Sequence, residues 1–87
     1  MVQDKVVVGQ GNGLHARPAS VLCKTASKFE STVKLISDTK TIDAKSMIGI
    51  LSLGANPGQE LTLEADGADA SEAIEAIKAL FLANFDE

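Results

Sequence analysis

The chain has 87 residues, of which 45% are hydrophobic and 23% charged, with a formal net charge of −4. This length allows one domain, residues 1–87, that buries roughly 60% of its unfolded surface, and the composition is typical of a globular protein. The acidic balance argues against nucleic acid as a direct partner. No apolar run approaches the roughly 18 residues needed to cross a bilayer, so we expect no membrane insertion.

The first half of the chain predicts a strand, a helix and a strand pair. Residues 2–8 are rich in valine and predict a strand that ends at Gly9. Residues 31–37 alternate in polarity, with Val33 and Leu35 on one face, and residues 38–39 predict a turn into a short strand over 40–44. Residues 16–28 predict a helix, because apolar side chains recur there at helical spacing: Ala19, Leu22, Ala26 and Phe29.

The second half predicts a short helix, a strand and a long helix. Ser46 suits a helix N-cap and Gly54 suits the position after a helix, which predicts two turns between them. Residues 60–66 alternate, and we expect Leu61, Leu63 and Ala65 to face inward. Asp69 and Glu72 have the spacing of a capping box for a helix over about 70–84. One face of that helix is apolar: Ile74, Ile77, Phe81 and Phe85.

The predicted order is βαββαβα, which indicates an α+β domain of two layers. Clean alternation in the second and last strands indicates a sheet that is covered on one face only. We therefore expect a mostly antiparallel sheet with the helices together on one side.

Charge and cysteine content add two further expectations. Residues 1–45 carry seven positive and four negative side chains, whereas residues 46–87 carry one and eight, so an anionic ligand or acidic partner suits the first half. The one cysteine, Cys23, cannot form an internal disulfide, and residues 1–9 lack the features of a signal peptide. Both observations fit a cytoplasmic location.

The segment GLHARPAS, residues 13–20, contains the one histidine and the one arginine of the chain, His15 and Arg17. If His15 caps the predicted helix, Ala16 is its first residue and Pro18 its third, where proline is tolerated. The backbone N–H groups of Ala16 and Arg17 then remain free at the positive end of the helix dipole, which favours an anion such as phosphate. The same end disfavours imidazolium and keeps a nucleophilic ring nitrogen on His15.

Other chemistries find little support in the residues. One histidine and one cysteine are too few for a zinc site, and the chain has no GxxxxGKS phosphate loop. GQGNG at residues 9–13 does not match the dinucleotide-binding pattern. We therefore expect no metal and no cofactor, and Cys23 is interpreted as an inert apolar residue.

GLHARPAS, together with KSMIGILSLGA at residues 45–55, resembles the HPr family, the histidine-containing phosphocarriers of the bacterial phosphoenolpyruvate:sugar phosphotransferase system. The resemblance extends over the whole chain. It implies an open-faced β-sandwich, in which a four-stranded antiparallel sheet carries three helices on one side.

The resemblance also implies roles for the residues of the first motif. His15 matches the histidine that accepts phosphate on Nδ1 from phosphorylated enzyme I and passes it to sugar-specific enzyme IIA domains. Arg17 matches the arginine that balances the phosphate charge, and Pro18 the proline that follows. Such a protein is a carrier with a transient phosphohistidine rather than an enzyme, and we expect a monomer.

Ser46 matches the serine that a bifunctional HPr kinase/phosphorylase phosphorylates in many family members from Gram-positive bacteria. The phosphoserine form accepts phosphate from enzyme I more slowly and serves as corepressor for a catabolite control protein, which links the carrier to carbon catabolite repression. Ser46 is equally an ordinary N-cap, and the two interpretations are compatible because a helix N-terminus favours phosphate.

Residues of the second motif predict a docking surface. The apolar residues of a two-turn helix cannot all face inward, and we expect Met47, Ile48 and Leu51 to form an exposed patch beside His15. The expected rim of this patch is polar: Asn12, Ser20 and Lys24. Asn12 is a second candidate for capping the first helix.

Two alternative functions remain open at this point. The chain could be a non-phosphorylated regulatory or interaction module that binds a partner through residues 47–51. It could also be the carrier of the nitrogen-related branch of the phosphotransferase system, which retains the histidine but uses a different first enzyme.

Overall fold

A computed structural model describes residues 1–9, 16–83 and 85. Within these residues seven elements follow one another: β1 Val2–Val7, α1 Ala16–Ser27, β2 Thr32–Ile36, β3 Thr41–Asp43, α2 Met47–Ser52, β4 Glu60–Asp66 and α3 Ala70–Leu82. Their order is the predicted βαββαβα. Several predicted elements extend one or two residues beyond the observed ends, as is usual for strand and helix termini.

The strands form one antiparallel sheet in the order β1-β4-β2-β3. β4 lies between β1 and β2, so its inward side chains Leu61, Leu63 and Ala65 are buried at the centre of the domain. Val33 and Leu35 of β2 are buried beside them, as their alternation predicts. The opposite face of the sheet is polar and includes Gln3, which donates from Nε2 to Glu64 Oε1 at 2.7 Å.

All three helices lie on the buried face, which confirms the two-layer architecture. The apolar face of α1 enters the core through Ala19, Leu22 and Ala26. α3 buries Ile74, Ile77 and Phe81 against β1, β4 and β2. The core is therefore made almost entirely of aliphatic side chains; Phe81 meets Phe85 in a T-shaped contact with ring centroids 5.0 Å apart.

The predicted capping box of α3 is wrong. Asp69 precedes the helix, but its side chain makes no capping hydrogen bond. Instead, its carboxylate accepts hydrogen bonds from Ser31 Oγ and from the backbone N–H groups of Glu30 and Ser31, the latter two at 2.9 Å. These three tertiary donors outcompete the local cap, and they hold the start of α3 against the loop that precedes β2.

Gly67 makes this contact sterically feasible. A Cβ at residue 67 would lie 2.5 Å from Ser31 Oγ, and the residue has a φ of +151° that side-chain-bearing residues rarely adopt. Ser31 itself is buried. The hydrogen bonds between Asp69 and Ser31 are therefore part of the tertiary structure, and the spacing of residues in the sequence does not predict them.

The Asp69 contact predicts a specific loss of stability in acid. Hydrogen bonds, first from Ser31 Oγ and then from the Glu30 N–H, lower the pKa of Asp69 from 3.8 to about 2. A carboxyl with a depressed pKa stabilises the fold above pH 3.8 and loses that contribution as the pH falls towards 2. We expect Asp69→Ala to lower the free energy of unfolding at pH 7, with the difference from wild type shrinking below pH 4.

Urea denaturation over a pH series would measure this difference. Asp38→Ala, which removes an exposed carboxylate from the β2–β3 turn, is the matched control and should show a much smaller effect at pH 7. A wild-type-to-Asp69→Ala difference that stays constant from pH 7 to pH 2 would contradict the assignment.

Candidate functional site

The start of α1 is anchored in the core by a buried proline that follows two exposed residues. The helix begins at Ala16, with Ala16 and Arg17 exposed and Pro18 fully buried. Pro18 is the third helical residue, where the missing N–H has no intrahelical acceptor to lose. The prediction of a helix that starts at Ala16 is confirmed. His15 and Asn12 lie outside the described residues.

The electrostatics of this helix end suit an anion. The first turn of α1 contains no acidic side chain. The positive end of the helix dipole is therefore not neutralised locally, and the first backbone N–H groups lack intrahelical partners. The exposed Arg17 adds a full positive charge and a planar set of donors that matches phosphate oxygens.

One face of α1 continues away from this end as a polar strip. Arg17, Ser20 and Lys24 follow one another at spacings of three and four residues, which places them along one side of the helix. Arg17 and Lys24 are exposed, and Ser20 is half-buried. Both predicted rim residues within the described part of α1 are therefore accessible.

α2 is fixed at both ends by hydrogen bonds. Ser46 is the N-cap, as predicted, and its Oγ accepts from the Gly49 N–H at 3.1 Å. At the other end Lys40 donates from Nζ to the Ser52 carbonyl at 2.8 Å, and Gly54 follows with a φ of +64°. A cap of the Ser46 kind contributes about 1 kcal/mol. Ser46 as a whole is half-buried.

The apolar residues of α2 divide between core and surface. Ile50 and Leu53 are buried, whereas Ile48 is 81% exposed and Leu51 43% exposed. Met47 is half-buried and packs against the core, so it contributes only in part to the predicted exposed patch. The reason is its place at the first position of α2, on the side that faces the core. Ile48 and Leu51, three residues apart, thus form the exposed apolar patch of α2.

A pair of hydrogen bonds connects the segment before α2 to α1 and to the loop after α1. Cys23 Sγ donates to the Lys45 carbonyl at 3.1 Å, and Lys45 Nζ donates to the Phe29 carbonyl at 2.8 Å. The residue before Ser46 is therefore anchored at two points to α1 and to the loop that follows it. Sequence reasoning treated Cys23 as an apolar filler and missed this contact, because neither spacing nor polarity indicates it.

The described residues contain neither a metal-binding cluster nor a membrane-spanning helix. In the parts of the chain that the structure covers, no three His, Cys, Asp or Glu side chains come together as a metal-binding group. No helix among those residues is long and apolar enough to cross a membrane.

Comparisons with known proteins match the chain over nearly its full length. A protein-family model described as the PTS HPr component phosphorylation site matches residues 2–83. The chain is 44% identical over 78 residues to the phosphocarrier protein HPr of Mycoplasma capricolum, which covers 90% of this chain and 88% of that protein.

Solved structures agree with these sequence matches. The structure of HPr from Thermoanaerobacter tengcongensis is similar with a TM-score of 0.96 and 41% identity, covering 100% of this chain and 98% of that one. The catabolite repression protein Crh of Bacillus subtilis, described as a domain-swapped dimer, is similar with a TM-score of 0.78 and 43% identity, covering 97% of both chains.

Proposed function

Because the chain belongs to the HPr family of phosphocarriers, we propose that it carries phosphate on Nδ1 of His15, between phosphorylated enzyme I and sugar-specific enzyme IIA domains in the cytoplasm. The observation that carries the proposal is the position of α1, which begins at Ala16, immediately after His15 in the sequence. The family match is to a phosphorylation site, and it spans this segment.

The helix end supplies the electrostatic part of the proposed reaction. The positive end of α1 disfavours imidazolium, so the ring nitrogen of His15 retains the electron pair needed to attack phosphorus. The bond between Nδ1 and phosphorus forms as the bond between phosphorus and the donor breaks, and the reverse exchange delivers the group to the acceptor. Arg17 and the first-turn N–H groups balance the phosphoryl charge.

Transfer between proteins requires a surface that both the donor and the acceptor recognise. We assign this role to the patch of Ile48 and Leu51, to the partly buried Met47, and to the strip of Arg17, Ser20 and Lys24 on α1; Asn12 remains a predicted rim residue. The exposure of Ile48 supports the assignment, since an exposed large aliphatic side chain on a short, capped helix is a typical interface anchor.

Ser46 is the proposed site of regulation by an HPr kinase/phosphorylase. Its hydroxyl lies at the start of α2, two residues before Ile48, so a phosphate there adds negative charge next to the docking surface. Slower acceptance from enzyme I follows if that partner presents acidic or apolar groups to the same surface. Similarity to Crh, a protein named for catabolite repression, supports a link between this family and regulation.

The name of Crh, which refers to catabolite repression, also supports the alternative of a regulatory module. In that alternative, His15 of this chain receives no phosphate. That module and the proposed carrier differ in one observable, the presence of acid-labile phosphate on His15. The nitrogen-related branch differs in which first enzyme donates the phosphate, so purified enzyme I of each branch separates these two carriers.

Removing the proposed acceptor should abolish phosphorylation. We expect His15→Ala to accept no acid-labile phosphate from enzyme I and phosphoenolpyruvate, because no other side chain in the segment offers a nucleophilic imidazole. Labelled phosphate on the protein after gel electrophoresis would measure the reaction. Far-ultraviolet circular dichroism should show an unchanged fold, and wild-type labelling of His15→Ala would overturn the assignment.

In the same assay, Arg17→Ala should slow phosphate transfer without abolishing it. It retains the acceptor but removes the exposed guanidinium, so we expect transfer slowed by about tenfold to a hundredfold, the range for losing one charge-assisted contact. Lys28→Ala removes an exposed cation beyond the end of α1 and should leave the rate near wild type. Equal transfer rates for wild type, Arg17→Ala and Lys28→Ala would show that Arg17 does not balance the phosphate charge.

The docking assignment is tested by a pair of equally exposed aliphatic residues. Ile48 on α2 is 81% exposed and Leu82 on α3 is 80% exposed. We expect Ile48→Ala to weaken binding to enzyme I by about tenfold or more, the effect of losing an interface anchor, and Leu82→Ala to leave binding unchanged. Isothermal titration calorimetry would measure both, and equal effects of the two substitutions would contradict the docking assignment.

Regulation at Ser46 has its own test. Incubation with an HPr kinase/phosphorylase and ATP should place one phosphate on Ser46, located by mass spectrometry of peptides, and should slow acceptance from enzyme I. Ser46→Ala should take none, whereas Ser52→Ala, which removes a hydroxyl from the same helix, should be labelled like wild type. Phosphate found only on another residue would refute the proposed site.

A further inference from the structure

β1 forms one edge of the sheet, and its hydrogen-bonding pattern identifies which backbone groups point outward. The Val8 N–H donates to the Gln59 carbonyl at 2.9 Å, and the Gly58 N–H donates to the Val8 carbonyl at 2.7 Å. Residues two positions apart in an antiparallel strand repeat the same orientation. The backbone groups of Gln3, Lys5 and Val7 therefore point away from β4, along the free edge.

The central N–H of this edge is not open to another strand. Asp4 Oδ1 accepts from the Lys5 N–H at 2.8 Å, and Asp4 Oδ2 accepts from Lys78 Nζ of α3 at 2.7 Å. The hydrogen bond from Lys78 has the largest effect on the pKa of Asp4. Together with the hydrogen bond from the Lys5 N–H, it keeps that pKa below its usual value of 3.8. The Asp4 carboxylate, which also accepts from Lys78 of α3, thus covers the middle of the exposed edge.

Without that carboxylate the edge is complementary to itself. Two copies of β1 can meet antiparallel about a twofold axis at Lys5, so that each Lys5 N–H donates to the Lys5 carbonyl of the second copy. Gln3 then stands opposite Val7 of the second copy. Val7 is 52% exposed in the single chain, and pairing would cover it. Each Lys5 ammonium retains its own partner, Glu60 Oε1, at 3.3 Å.

We propose that the β1 edge is a pairing surface for a second copy of this chain, and that Asp4 holds it closed in the monomer. Edge strands commonly carry charged side chains that prevent such pairing. The occupant is a second copy because the twofold register at Lys5 matches the same five residues, 3–7, to themselves. The relative described as a domain-swapped dimer is similar along 97% of the chain, so this fold is compatible with association.

Pairing at this edge leaves the proposed docking surface free. α2 packs against α1 and β3, and β3 is the strand at the opposite edge of the sheet from β1. A dimer joined through β1 therefore keeps the exposed Ile48 and Leu51 accessible. This separation means that oligomeric state and phosphate acceptance can be measured independently.

Sedimentation equilibrium of four proteins tests the proposal. Asp4→Ala should lower the dimer dissociation constant at least about tenfold relative to wild type, because it frees the Lys5 N–H. The double variant Asp4→Ala with Lys5→Pro lacks that N–H and should return to the wild-type value, since proline is tolerated at outward positions of an edge strand. Lys78→Ala removes the ion pair but leaves the Asp4 acceptor, and it should stay near wild type.

A measurement on the wild-type chain covers the case in which Asp4→Ala does not fold. Amide hydrogen exchange of Lys5 should be slower than that of Gln3 and Val7, by about tenfold or more, because of these three N–H groups only that of Lys5 has an acceptor among the described residues. Equal exchange at the three amides would overturn the proposal. So would a folded Asp4→Ala that associates no more than wild type, or an Asp4→Ala dimer that survives Lys5→Pro.

Discussion

Burial of the sheet on one face only is the constraint from which the rest of this domain follows. Leu61, Leu63 and Ala65 of the central strand β4 point to one side and are excluded from solvent, whereas the residues between them face the polar surface. The three helices therefore have one surface on which to pack. α1 lies between the other two helices and contacts both of them.

This crowding on one face explains how a small domain can present the proposed reactive segment and the proposed docking helix together. α1 must start with Pro18 in the core, which leaves Ala16 and Arg17 at the surface. α2 is too short to bury all its apolar residues, and its exposed side carries Ile48. The hydrogen bonds of Cys23 and Lys45 connect the residue before Ser46 to α1 and to the loop that follows α1.

Local patterns in the sequence predicted the elements well and the tertiary contacts poorly. Alternation located β4 at residues 60–66, and the cap residues Ser46 and Gly54 located α2, because these signals depend on neighbours along the chain. Asp69 was misassigned because its donors come from Ser31 and Glu30, far away in sequence. The partial burial of Met47 was missed for a related reason, since it depends on how α2 sits on the core.

For the candidate site, too, local patterns predicted some features, and the family resemblance supplied others. Residues alone predict an anion-favouring helix end with Arg17 beside it, and in the described part of α1 Arg17 is exposed in the first turn. The role of His15 as phosphoryl acceptor and of Ser46 as a regulatory site rested on the resemblance, because nothing in the spacing of single polar residues specifies a reaction. The hydrogen bond by which Asp4 covers the Lys5 N–H was not predictable either. Its role depends on β1 being an edge strand and on Lys78 lying beside Asp4.

Phosphorus NMR of the wild-type chain, incubated with enzyme I and phosphoenolpyruvate, would detect a phosphohistidine itself. We expect one new resonance of a phosphorus bonded to Nδ1 of a histidine, lost on acid treatment. No phosphohistidine resonance, or a resonance that persists in acid as expected for phosphoserine, would contradict the proposed phosphocarrier function.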